Sequence, residues 1–303
     1  MFGFCNIASI PIRAAASHRA EMVTQLLFGE AYRIVDYQHT LGWAEIETQY
    51  DDYLGFIDIN QIALMHQSTY QQYEKGQWQT APAPMMIFDR KRNFAFPISA
   101  GSTLFLNEEN IMRLGAEVFE IQIFTQKEET DIRQIALSFL NTPYLWGGRT
   151  MYGIDCSGFT QIVFKIMGKS LPRDASQQAV LGEKITSLAQ TQCGDLAFFQ
   201  NKDGRITHTG LILQSNKVTE LQSENKPPLF PPKGENCSHP FGEGWGGADK
   251  STTNNQITKS TNNQQTIIHS SGKVRIDVLD EQGIFCLERN EYSHALHSVR
   301  RMW

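Results

Sequence analysis

The hydrophobic rhythm of this 303-residue chain changes at Asp131, and that change calls for a β-rich part followed by a mixed one. Before it, short runs such as Tyr32-Arg33-Ile34-Val35 and Trp43-Ala44-Glu45-Ile46 alternate between apolar and polar residues. Turn signals divide them, at Phe28-Gly29-Glu30 and Leu41-Gly42. A period of two suits half-buried strands. Tyr53-Leu54-Gly55-Phe56-Ile57 continues the pattern, its glycine marking a bend or a close backbone approach. Strands this short predict small barrels rather than one sandwich. Thr80-Ala81-Pro82-Ala83-Pro84 reads as a break between two such units. The second unit includes Phe94-Ala95-Phe96-Pro97-Ile98, a turn at Ala100-Gly101-Ser102, and Phe119-Glu120-Ile121-Gln122-Ile123.

After Asp131 the residues Ile132, Ile135, Ala136, Phe139 and Leu140 recur at helical spacing, and Pro143 ends the segment. A second helix is expected from Cys156 to Met167, with Phe159, Ile162, Val163 and Ile166 inward and Gly168 as its stop. Strands follow over Asp195 to Phe199 and His208 to Leu213, joined by a turn at Asp203-Gly204, then over Ile267 to His269 and Val274 to Ile276. Between them, residues 216–265 carry Pro227, Pro228, Pro231 and Pro232, a glycine-rich patch and a polar tract. Too little apolar surface is present there to order a chain, so a disordered insertion is expected. The expected class is α+β, with two small β-barrels over 1–65 and 66–127 and a mixed domain over 128–303.

A net charge of −5 gives no basic footprint for nucleic acid and suits an anionic membrane poorly, so a peptide or small molecule is the expected partner. The first residues lack a signal peptide's charged head and apolar core, and no run approaches the roughly 20 apolar residues of a spanning helix. A cytoplasmic location is the expectation. Five cysteines, at 5, 156, 193, 237 and 286, form no close pairs, which suits free thiols in a reducing compartment. No C-x-x-C or H-E-x-x-H spacing appears, so neither a metal nor a cofactor is expected.

Most cysteines are small buried hydrophobes, and that reading holds for Cys5, Cys193, Cys237 and Cys286. Cys156 differs in its setting. It follows Trp146-Gly147-Gly148 and lies within Gly153-Ile154-Asp155-Cys156-Ser157-Gly158, at the head of an amphipathic helix. The positive end of the helix dipole lowers a thiol's pKa there, and unpaired N–H groups suit an oxyanion. The glycines read as room for a substrate backbone. The base must come from a distant segment: His208 heads an apolar strand, and His269 sits in the strand beyond the insertion. His18, His39, His66, His239, His294 and His297 read as ordinary surface or core histidines. Arg173 and Asp174 read as a structural ion pair.

Tyr144-Leu145-Trp146-Gly147-Gly148, Asp155-Cys156-Ser157-Gly158-Phe159, Leu171-Pro172-Arg173-Asp174, Cys193-Gly194-Asp195-Leu196 and Thr207-His208-Thr209-Gly210 together resemble the NlpC-type family of papain-like peptidoglycan endopeptidases. That likeness runs from about residue 130 to 285. The N-terminal part resembles bacterial SH3 domains through Ile12-Arg13-Ala14, Glu30 and Tyr53 to Ile57, and the combination is similar to the dipeptidyl-peptidase VI type. The resemblance implies a papain-like domain behind SH3-like barrels. It makes Cys156 the nucleophile, His208 the base, His269 the residue that orients it, and Tyr144 a hydroxyl aiding the oxyanion. It also implies that Glu21 and Tyr53 cap the pocket and bind a free N-terminal amine, with Asp155, Ser157 and Ser176 on the catalytic side.

The implied reaction is cleavage of the γ-D-glutamyl to diamino-acid bond in murein peptides, releasing L-Ala-γ-D-Glu. A buried carboxylate facing the L-Ala ammonium would reject N-blocked peptides, which suits the recycling of trimmed fragments. The competing readings are an exported hydrolase acting on intact peptidoglycan, an amidase or acyltransferase on the same fold, and an inactive peptide-binding relative. The last is motivated by an insertion placed to displace the strand of His269. The diamino acid and the oligomeric state stay open.

Overall fold

The computed structural model describes residues 1–38, 41–75, 78–105, 110–121, 131–213 and 265–303. The expected insertion at 216–265 lies outside them except for its last residue, as do Cys237, His39 and His239. In the first unit, seven antiparallel strands run in the order Met22–Leu27, Ser9–Arg13, Leu54–Asp58, Trp43–Thr48, Ala31–Gln38, Phe2–Phe4 and Ala63–Met65. Alternation turns Ile10, Ile12, Ile46 and Ile57 into one core. A Cβ on Gly55 would lie 2.5 Å from the Ile12 side chain, the close approach its sequence position suggested.

The second unit begins with a helix the sequence pattern did not show, Gln67–Lys75, which buries Tyr70 and Tyr73 three residues apart on one face. A four-stranded sheet follows, ordered Phe94–Ile98, Met85–Asp89, Glu117–Ile121 and Ile111–Leu114. Among the described residues this unit has no separate core. Ile87, Ile98, Met112 and Phe119 pack with Phe4, Phe28 and Ala31 of the first unit, and the Phe28 and Phe119 rings meet edge to face at 5.0 Å.

The mixed domain opens with the helix Ile132–Ser138, capped by Asp131, and continues with the helix Cys156–Ile166. Seven antiparallel strands form its sheet, in the order Glu183–Ile185, Glu291–Arg301, Leu196–Gln200, Ile206–Ile212, Gln265–Ser271, Lys273–Leu279 and Gly283–Cys286. The last strand also pairs with Glu291–Arg301, so the sheet closes on itself. Phe159, Ile162 and Val163 carry the second helix onto this sheet, against Phe198, Leu211 and Ile268. The strand of His269 is not displaced: it pairs antiparallel with Ile206–Ile212, Gly210 opposite His269.

A buried charge cluster joins the units. Glu30 meets Arg149 Nη1 and Nη2 at 2.8 and 3.0 Å and Lys165 Nζ at 2.6 Å, and all three side chains are 2% exposed. Lys165 also donates to Thr103 Oγ1 at 3.0 Å, and Arg149 donates to the Gln25 carbonyl at 2.6 Å. Burial alone would raise the Glu30 carboxyl, but the two cations bring it down to about 2. The helix Cys156–Ile166 is thereby fixed against both N-terminal units.

Candidate active site

Asp155 caps the helix that begins with Cys156, its Oδ1 accepting the Gly158 amide at 2.7 Å. Its Oδ2 accepts the Gly147 amide at 2.9 Å, which ties the preceding loop to the helix start. Arg173 grips the same carboxylate with both terminal nitrogens and donates to Ser157 Oγ at 2.8 Å and Thr24 Oγ1 at 3.0 Å. The ion pair expected between Arg173 and Asp174 is therefore replaced by one with Asp155. The Arg173 fork lies where the cap needs a buried counter-charge, while Asp174 heads the short helix Ala175–Gln178.

The glycines around Cys156 face protein rather than a substrate. A Cβ on Gly147, at φ +76°, would lie 2.3 Å from the Met22 carbonyl oxygen. On Gly158 it would lie 2.3 Å from the Gly148 carbonyl oxygen. These contacts bring the N-terminal unit and the loop against the helix head.

The thiol is not lowered, contrary to the helix-dipole expectation. Burial, reinforced by the Asp155 charge, pushes Cys156 up to about 12, against the amides of Thr209 and Ser157 and the charge of Arg173. The Thr209 amide facing the sulfur places it beside the strand that carries His208. His208 Nε2 lies 2.8 Å from His269 Nδ1, and His269 Nε2 lies 3.0 Å from Asp277 Oδ2. Both rings are buried, and both titrate below the ordinary imidazole range, His208 well below it. For His208 the causes are burial, then the rings of His269 and His294. Both shifts favour the uncharged thiol and the uncharged imidazole.

Two residues of this cluster were not singled out in the sequence. Asp277 is 1% exposed and lies eight residues past His269 on the next strand. His294, read as ordinary, stacks on His208 with ring centroids 4.0 Å apart, and burial followed by His269 brings it down to about 4. Asp277 becomes visible once the register is known: Arg275 pairs with His269, so Asp277 is its diagonal neighbour. His294 arrives from the final strand, for which no local pattern gave a signal.

A cavity of about 500 Å³ opens on Cys156. Glu21, Val23 and Tyr53 of the first unit line it, together with Tyr144, Trp146, Asp155, Ser157, Asp174 and Ser176. All the residues expected around the pocket therefore border one space with the thiol. Glu21 departs from its expected setting, because it stands exposed at the mouth rather than buried. Its Oε1 accepts the Trp146 indole N–H at 2.5 Å, a link that the Gly147 contact with Met22 makes possible. Tyr144 is pushed up to about 12 by burial and then by Cys156 and Asp155, and Tyr53 is raised by burial and then by Asp174. Asp174 is half-buried and raised, chiefly by burial.

Residues 141–285 match the NlpC/P60 family, and residues 12–62 match the bacterial dipeptidyl-peptidase SH3 domain. A gamma-D-glutamyl-L-lysine dipeptidyl-peptidase of Bacillus subtilis is 44% identical over 98 residues, 32% of this chain and 33% of that protein. Dipeptidyl-peptidase 6 of Lysinibacillus sphaericus is 30% identical over 122 residues, 39% of this chain and 44% of that one. The chain thus spans about a third to under half of the length of these curated relatives. The crystal structure of an NlpC/P60 family protein from Bacillus cereus has the same fold, with a TM-score of 0.67 at 16% identity, covering 100% of this chain and 99% of that one. The chain therefore carries an NlpC/P60 domain of papain-like fold behind a bacterial dipeptidyl-peptidase SH3 domain.

Proposed function

We propose that the protein is a cysteine peptidase that cuts the γ-D-glutamyl to diamino-acid bond of murein peptides with a free N-terminal L-Ala. The cavity that Cys156 shares with Glu21 and Tyr53 carries this reading, because it joins a nucleophile to acidic and phenolic groups of another unit. Its size fits a short peptide. Glu21 and Asp174 give it acidic character suited to an ammonium group. Relatives named as gamma-D-glutamyl-L-lysine dipeptidyl-peptidases support the choice of bond.

In the proposed reaction, the Cys156 thiol gives its proton to His208 as the sulfur attacks the γ-carbonyl of D-Glu. Amides at the helix head and the Tyr144 hydroxyl stabilise the oxyanion. Collapse breaks the C–N bond, and His208 returns the proton to the departing amine of the diamino acid. Water then hydrolyses the thioester, with His208 as base, and releases L-Ala-γ-D-Glu. The requirement for a free amine excludes stem peptides still joined to glycan. We infer a role in recycling trimmed fragments in the cytoplasm.

Mass spectrometry of L-Ala-γ-D-Glu-L-Lys after incubation tests the bond: L-Ala-γ-D-Glu and free lysine are expected. Release of L-Ala alone, or an intact tripeptide, contradicts the proposal. Glu21→Gln should raise KM about tenfold with kcat little changed, the size of one charge-assisted contact worth about 1.5 kcal/mol. An unchanged KM would remove Glu21 from the amine site.

A further inference from the structure

We infer that Asp277 is a positioning residue that sets the tautomers of both histidines, leaving His208 Nδ1 unprotonated and free to accept the Cys156 proton. An ionised carboxylate only accepts hydrogen bonds, so the proton between Asp277 Oδ2 and His269 Nε2, 3.0 Å apart, belongs to His269. A neutral imidazole carries one N–H, so His269 Nδ1 is an acceptor. That nitrogen lies 2.8 Å from His208 Nε2, which must therefore carry a hydrogen. The remaining nitrogen of His208, Nδ1, keeps its lone pair for the thiol proton. One carboxylate thus fixes the base through two rings.

The carboxylate is itself fixed. Its Oδ1 accepts the Leu287 amide at 3.0 Å and Arg275 Nη2 at 3.1 Å, and its Oδ2 accepts Arg275 Nε at 2.7 Å. Arg275 is held in turn by Glu288 at 3.0 Å and donates to the Cys286 sulfur at 3.2 Å. Burial would raise the Asp277 carboxyl, but bonds from His269, Arg275 and Leu287 hold it below the usual range. When His208 takes the thiol proton at Nδ1, its Nε2–H bonds to His269 Nδ1, and His269 keeps its own proton on Nε2. The new positive charge then faces Asp277 through one neutral ring, with no proton leaving either histidine.

Nitrogen-15 NMR of the full chain with labelled histidine reads both tautomers without substrate. Both His208 and His269 should show a protonated Nε2 and a bare Nδ1. In Asp277→Asn the side-chain NH2 competes as a donor to His269 Nε2, so the parent tautomers should be lost. Hydrolysis of L-Ala-γ-D-Glu-L-Lys should then lose about 100-fold in kcat, a typical cost of removing an outer partner of a functional histidine, with KM within about twofold. A protonated Nδ1 on either ring of the parent overturns the inference, and that spectrum decides even if the variant does not fold. A folded variant that keeps both tautomers overturns it too, whatever its kcat. Because the kinetic arm rests on the proposed substrate, a parent with these tautomers and no turnover supports the inference and removes the substrate reading alone.

Discussion

Cys156→Ala should abolish hydrolysis, with a loss on the order of 10⁶-fold in kcat, because a nucleophile and its base act as one unit. His208→Ala should cost nearly as much, and the double variant should be no worse than either. Non-additivity follows from the geometry. The Thr209 amide faces the Cys156 sulfur, and the buried base beside Thr209 has no acidic group to serve once that sulfur is gone. The alanine variant keeps its fold, since the helix head is held by Asp155, Arg173 and Ser157 rather than by the thiol. Steady-state kinetics with circular dichroism on the three variants checks this. A folded Cys156→Ala protein within tenfold of an active parent contradicts the assignment of the nucleophile. An inactive parent that still binds the peptide returns the balance to the peptide-binding alternative.

Glu30→Gln should destabilise the protein by about 3–5 kcal/mol, as expected when one partner of a buried ion cluster is removed. Arg149 would keep its charge in a site 2% exposed, and Lys165, already lowered by burial, would lose the carboxylate that favours its charged form. A lower urea midpoint measures the loss. The pH dependence has a defined sign. The folded carboxyl titrates near 2 and the unfolded one near 4.5, so its contribution is complete above pH 4.5 and lost as pH falls toward 2. That difference corresponds to about 3 kcal/mol. In Glu30→Gln this part of the acid dependence should vanish. An unchanged midpoint and an unchanged acid limb would show that the cluster does not hold the units together. Activity should fall along with stability, since the same contacts set the N-terminal unit against the catalytic helix.

The chemistry was legible wherever it rested on local pattern. The helix at Cys156 announced itself through apolar spacing and a glycine stop, and it runs over Cys156–Ile166, with an aspartate cap that the structure adds. The strand of His208 showed as an apolar run and became Ile206–Ile212. What depended on register or on contact between units was not legible. Asp277 meets His269 only after two strands pair, and His294 meets His208 only after the sheet closes. Glu30 read as a mark of the first unit, but nothing local shows that two cations from beyond residue 148 converge on it. The glycines misled in an instructive way. Close approach was the right inference, but the approaching backbone is the protein's own. The thiol's pKa was misjudged because the sequence shows a helix N-terminus and not the burial that outweighs it.

In the proposed function, Cys156 cuts the bond while the N-terminal unit selects peptides with a free amine. Measuring kcat/KM for L-Ala-γ-D-Glu-L-Lys and for its N-acetylated form, with the same preparation of the full chain, tests it most directly. Glu21 stands exposed at the mouth, so the discrimination is expected to be that of a few charge-assisted contacts, a preference of at least about 100-fold for the free amine. Equal turnover of the two peptides would contradict the account, leaving a peptidase whose specificity is set elsewhere.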